Sequence, residues 1–170
     1  MSDAWRHARR VGDIDWSRWV ACDPATLVFV RAPGRVLLIH KKRGLGAGKI
    51  NAPGGRMEPG ETPLACAVRE IEEELCITPT GLLHHGENHF QFVDGYSIHV
   101  QIFSAAGHVG EPQETAEAIP LWFAEEEIPW ERMWADDRLW VPLLLAGRRF
   151  RGRFVFDGDT MLDAVVEEIG

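Results

Sequence analysis

The chain has 170 residues, a net charge of −8 and 45% hydrophobic content, enough apolar material for one domain with a real core. That acidic balance argues against attraction to a nucleic-acid polymer, although a small anion can still bind through a metal. Cys22, Cys66 and Cys76 show neither metal-ligand spacing nor an even disulfide set, which suits a reducing, cytoplasmic setting.

In chain order, residues 1–20 read as an N-terminal extension and 21–170 as the domain proper. The extension alternates arginine with tryptophan, but it has no apolar run of signal or membrane-spanning length. A short arm packed on the domain fits it better than a membrane helix. Residues 26–31 and 35–40 are aliphatic and β-branched around Ala32-Pro33-Gly34 and read as a hairpin. The stretch KKRGLGAGKINAPGG that follows reads as a loop. Residues 62–75 form the clearest helix, with Pro63 in its first turn and Leu64, Ala67, Val68, Ile71 and Leu75 at helical spacing. Strands are expected at 86–93 and 97–105, joined at Asp94-Gly95, and at 118–124. A second helix is expected at 136–145, and a closing strand pair at 150–156 and 161–168 joined at Asp157-Gly158. Strands dominate and two helices pack on them, so the class is α/β with a mixed sheet.

The first helix concentrates negative charge. Glu70, Glu73 and Glu74 stand at i, i+3 and i+4 and share a face, with Glu72 pointing elsewhere. Like charges so spaced destabilise a bare helix by roughly 0.2–0.5 kcal/mol per pair, and in its C-terminal half they also oppose the macrodipole. A hard divalent cation turns that repulsion into coordination. A solvated acidic face is the ordinary alternative. Arg69 within the run, Glu61 eight residues upstream and a glycine loop just before it argue for the metal.

Gly55, five residues, Glu61, seven residues, then Arg69-Glu70-Ile71-x-Glu73-Glu74-x-Cys76-Ile77 resembles the Nudix box. The resemblance implies a Nudix fold, a mixed sheet sandwiched by two main helices, and Mg²⁺ (with Mn²⁺ as a substitute) held by Glu70, Glu73, Glu74 and the Gly54 backbone. It implies a Glu61–Arg69 pair that locks the junction of loop and helix, with Gly54 and Gly55 allowing close approach of the backbone. The departure is Cys76, which stands where the family has a glycine that ends the helix, often at positive φ. A locally altered helix end with the metal face intact is therefore expected.

KKRGLGAGKIN before the box and WADDRLWVPLLL after it are similar to segments of the oxidised-purine nucleoside triphosphatases, the animal-type MutT homologues. HFQF at 89–92, EAIPLWF at 117–123 and FRGRFVFDGDTMLD at 150–163 fit the same subfamily. The resemblance implies hydrolysis of 8-oxo-dGTP or 2-oxo-dATP between the α and β phosphates, releasing monophosphate and pyrophosphate. Asn51 offers an amide donor and acceptor to a purine edge, or else caps a turn. Asp136 and Asp137 either open the second helix or, crowded in a pocket, share a proton so that one donates. Trp134, Phe90 and Phe92 offer stacking faces, while Trp122 and Trp140 read as core. Glu117 aligns with a carboxylate that helps to bind metal, and Lys41 would reach base or phosphate. Leu45, Ile50, Ala52 and Pro53 depart from the subfamily pattern and imply a flatter or wider base site. His84, His85, His89 and His99 show no ligand spacing and receive no role.

The mechanism expected is Mg²⁺-assisted attack of water on a bridging phosphate, with Glu70 and Glu117 both open as the base. The alternatives are a Nudix hydrolase of ADP-ribose, a dinucleoside polyphosphate or capped RNA, and a silent nucleotide-sensing domain. The expected partner is a small nucleotide, with no nucleic-acid polymer and no membrane.

Overall fold

A computed structural model describes residues 4–170, so residues 1–3 of the extension lie outside the described residues. The strands are β1 (Asp23–Ala32), β2 (Arg35–Lys41), β3 (Ile50–Asn51), β4 (Gly54–Arg56), β5 (Thr78–Phe92), β6 (Ser97–Val109), β7 (Ala118–Ala124), β8 (Arg149–Asp157) and β9 (Thr160–Ile169). The helices are α1 (Pro63–Leu75) and α2 (Asp137–Leu145). One mixed sheet runs β3-β2-β1-β6-β5-β8-β9, with β4 paired to β1 and β7 to β2. β1 and β6 are parallel, as are β5 and β8, while the hairpin partners are antiparallel.

Alternation along the strands divides the core into two layers. Val28, Val30, Leu37 and Ile39 face one side, where Ala67, Ile71 and Leu75 of α1 cover them. Phe29, Val36 and Leu38 face the other, where Trp140, Val141 and Leu144 of α2 cover them. α1 begins cleanly because the Thr62 hydroxyl accepts from the Ala65 amide at 3.1 Å and Pro63 follows it. No described helix is long and apolar enough to cross a membrane.

The segment expected as a loop at 41–55 contains two short strands. β3 and β4 form because β2 and β1 leave edge positions open to Ile50–Asn51 and Gly54–Arg56. Their pairing is decided by distant partners, so two or three residues carry no periodic signal of their own. The end of α1 also differs from expectation. Cys76 takes φ 60°, ψ 30° and its amide bonds the Glu72 carbonyl at 3.0 Å. The helix ends in the left-handed form that glycine would adopt, and the strain is accepted rather than relieved.

The arm packs on the domain. Val11 and Ile14 bury against Val155 of β8, on the sheet face opposite Phe154 and Phe156, and the Val11 amide donates to Asp163 at 2.8 Å.

Candidate active site

The metal-binding end is built where β4 lies against β1. Gly54 pairs with Leu27 and Gly55 with Thr26; a side chain at Gly54 would strike backbone, and one at Gly55 would displace the Glu70 carboxylate. A Cβ on Gly54 would fall 2.0 Å from the Thr26 carbonyl oxygen, and one on Gly55 2.4 Å from the Glu70 carboxyl carbon. Arg69 then fastens α1 to the loop. Its Nε and Nη2 donate to the two oxygens of Glu61 at 2.7 and 2.9 Å, and Nη2 also reaches the Arg56 carbonyl at 3.0 Å. This bidentate pairing holds the Glu61 carboxyl down at about 2, with the Glu58 backbone contact adding to it.

Glu70, Glu74 and Glu117 bring carboxylate oxygens within 4.8 Å of one another. Glu73 does not join them: its side chain is 55% exposed and accepts from Arg69 Nη1 at 3.2 Å. At 3.6 residues per turn, a step of four returns to within about 40° of Glu70, whereas a step of three falls about 60° to the other side. Glu70 and Glu74 therefore point into the cleft while Glu73 stands beside them at its rim, on Arg69. Glu74 is 4% exposed and accepts from the Gly54 amide at 3.3 Å. Burial pushes its carboxyl up to about 8, and the Glu70 charge adds to the shift. Burial raises Glu70 as well, against the pull of Arg69. Lys41, also on the cleft wall, is lowered by burial and partly restored by Glu74. Arg43 Nη2 clamps Glu117 Oε1 at 2.8 Å. An all-oxygen set with one deeply desolvated carboxylate fits a hard divalent cation.

The same cleft, of about 600 Å³, continues to an aromatic end lined by Asn51, Phe90, Phe92, Trp134, Asp136 and Asp137. Leu45 is on its wall too. Trp134 is held edge-on by Phe156 and Phe92, with centroids at 5.5 and 6.3 Å. The Asn51 Oδ1 accepts from the Ala52 amide at 2.9 Å, which orients the carboxamide and leaves its NH₂ free to donate. Asp136 and Asp137 are 2% and 3% exposed. Trp140 Nε1 donates to Asp136 Oδ2 at 2.8 Å, so that tryptophan is core and also fixes an acid. Asp137 Oδ2 has no partner among the described residues. Burial raises both carboxyls, and the neighbouring Asp136 charge raises Asp137 further. The indole donor favours the ionised form of Asp136, whereas burial without a partner on Oδ2 favours the protonated form of Asp137.

Two residues of the cleft region were not singled out from sequence. Lys49 lies 5.2 Å over the Trp134 ring and 3.3 Å from Asp159, and Arg43 fixes Glu117. Both sit in the glycine-rich loop, and their partners are far away in the chain, so no local pattern marks them. The histidines also need correction. His85 is a satisfied core residue between Ser104 and the Arg148 carbonyl, but His89 and His99 converge with Glu87. Period-two spacing on β5 and the facing register of β6 bring them together.

The NUDIX domain profile matches residues 23–144. The chain is 45% identical over 146 residues to the oxidized purine nucleoside triphosphate hydrolase of Danio rerio, covering 85% of this chain and 94% of that protein. The protein of the same description from Mus musculus is 43% identical over the same spans. The crystal structure of the MutT protein from Bacillus halodurans superposes with a TM-score of 0.77 at 28% identity, covering 85% of this chain and 97% of that one.

Proposed function

The chain belongs to the Nudix family, and from that premise we propose that it hydrolyses oxidised purine nucleoside triphosphates such as 8-oxo-dGTP or 2-oxo-dATP to monophosphate and pyrophosphate. The observation that carries the reading is one cleft joining Glu70, Glu74 and Glu117 at one end to Asp136 and Asp137 at the other. Two relatives named for this activity, similar over nearly the whole domain, support it. The family generally uses a divalent metal, and Mg²⁺ is the ion we assign to the carboxylate end, with Gly54 helping to hold it and Mn²⁺ as a substitute. We place the domain at 21–170, the extension at 1–20, and the protein in the cytoplasm. Its partner is then the small nucleotide alone.

When bound, the cation neutralises phosphate charge and polarises the bond to be broken. The chain's own residues do the rest. Trp134, Phe90 and Phe92 wall the purine, Asn51 offers its NH₂, and Asp137 donates the proton it keeps while Asp136 accepts. Lys41 faces the phosphates from the cleft wall. Proton removal from the attacking water falls to Glu70 or Glu117. Arg69 holds Glu70 Oε1 and Arg43 holds Glu117 Oε1, so each retains its Oε2 to accept.

The test is Mg²⁺-dependent turnover, read as nucleotide products separated by chromatography, across 8-oxo-dGTP, 2-oxo-dATP, dGTP, ADP-ribose and a dinucleoside polyphosphate. Preference for an oxidised purine triphosphate is expected. Preference for a diphosphate-linked substrate would overturn the substrate, and absence of turnover on every compound would overturn the enzyme.

A further inference from the structure

On the sheet face opposite the base-binding end, Glu87 and His89 of β5 stand beside His99 of β6. Their ligand atoms all lie within 4.8 Å of one another. We propose that Glu87, His89 and His99 form a second metal site, selective for a divalent transition ion of the Zn²⁺ type, with its remaining position opening under the N-terminal arm.

The hydrogen bonds assign the ligand atoms. His89 Nδ1 lies 3.0 Å from the Gly152 carbonyl, and a carbonyl only accepts, so Nδ1 carries the proton. The Nε2 lone pair is left facing Glu87 Oε1 at 4.0 Å. A backbone carbonyl holding the far nitrogen is the usual support of a metal-bound imidazole. His99 Nε2 already meets Glu87 Oε2 at 2.9 Å, so the ion replaces that hydrogen bond and takes both atoms. Arg151 Nε holds the other glutamate oxygen, Oε1, at 3.2 Å. It weakens the local negative charge without occupying a ligand atom. An ordinary histidine is mostly neutral near pH 7, as a ligand must be.

The surroundings keep the two rings in place. His89 and His99 stack at 4.5 Å, directly opposite in register. Trp19 contacts both edgewise at 5.4 and 6.4 Å, and Trp16 contacts His89 at 6.0 Å. Trp19 Nε1 is tied down to Gln91 at 2.9 Å. A cleft of about 260 Å³ bounded by Trp16, Trp19, His89, His99 and Arg153 gives access. Two imidazoles and one carboxylate with an open fourth position suit Zn²⁺, whereas the all-oxygen set of Glu70, Glu74 and Glu117 suits Mg²⁺. One sheet would thus carry two centres of different softness.

The experiment is calorimetric titration of Zn²⁺ into the full chain in saturating Mg²⁺, which fills the oxygen centre. Wild type and Glu74→Gln should each bind a single Zn²⁺. His89→Gln and His99→Gln, on separate strands, should each weaken that binding at least about tenfold and leave Mg²⁺-dependent turnover unchanged. In wild type, Zn²⁺ should shift the imidazole resonances of His89 and His99 and no others, a readout that does not depend on how the variants fold. Loss of the Zn²⁺ in Glu74→Gln, its retention in both histidine variants, or unshifted His89 and His99 resonances would overturn the site.

Discussion

The cleft has acidic clusters at both ends, and they answer the same problem in opposite ways. At the phosphate end Glu70, Glu74 and Glu117 crowd their oxygens together around a deeply buried Glu74. At the base end Asp136 and Asp137 are adjacent in sequence and almost wholly buried. Burying like charges together is unfavourable unless something neutralises them. The glutamates converge on one point beside Gly54 and Gly55, a separation that suits a shared cation. The aspartates are walled by Trp134 and Trp140 in an aromatic pocket, where burial raises both carboxyls and a proton is the compensating species we propose. The lesson is that the compensating species is chosen by geometry and not by residue type.

The largest break in this comparison is Glu74→Gln. It should lower Mg²⁺-dependent kcat by at least about 10²-fold, while Glu73→Gln, whose side chain faces Arg69, should lose no more than about tenfold. Equal losses in the two would show that the loaded centre recruits Glu73. Without metal, Glu74→Gln should melt higher than wild type. Glu74 has a folded pKa of about 8, raised above its unfolded value. Its contribution is fully present below the unfolded pKa and lost as pH rises through about 8. The variant's advantage should therefore be larger near pH 8.5 than near pH 6.

The same raised carboxyl links metal to protons. Mg²⁺ must displace the Glu74 proton, so affinity should rise with pH up to about 8 and then level off. Calorimetry in buffers of different ionisation enthalpy measures the proton released. Binding without release at about pH 7 would show that Glu74 is already ionised.

At the base end, Asp136→Asn should lower kcat/KM for the oxidised purine about ten- to a hundred-fold, equivalent to about 1.5–3 kcal/mol, with Mg²⁺ affinity unchanged. Asp137→Asn keeps a donor where the protonated acid stood, so its loss should be smaller. Asp137 works in its protonated form and its pKa is raised by burial and by Asp136. Wild-type kcat/KM should then fall as pH rises through that pKa, and Asp137→Asn should remove this alkaline limb. An unchanged limb would assign it to another group.

The smallest effect expected is at the end of α1. Cys76→Gly should stabilise by about 1 kcal/mol, since φ 60° is costly for a residue with a Cβ. A melt gives the sign. Unchanged turnover would show that the metal end is set by Arg69 and β4 and not by the helix terminus.

Much of this was legible along the chain. α1 was readable from its capping residues and apolar period, the hairpins from their turn residues, and the pairing of Glu61 with Arg69 from the resemblance to the Nudix box. The acid pair and Trp134 could be named because WADDRLWVPLLL, one short run, is similar to a subfamily segment. These are local determinants, in which neighbours along the chain fix one another.

Tertiary structure decided what local pattern could not. It set Glu117 beside Glu70 and Glu74 and turned Glu73 toward Arg69, because side-chain direction around a helix distinguishes three residues from four and the residue just before β7 supplies the third oxygen from 43 positions beyond Glu74. It made Asp136 and Asp137 inequivalent through one indole donor. It made β3 and β4 out of residues that pair only because β1 and β2 offer edges, and it joined Glu87, His89 and His99 through strand register. In each case the deciding partner lies on another element, and burial and charge act through space whatever the distance along the chain.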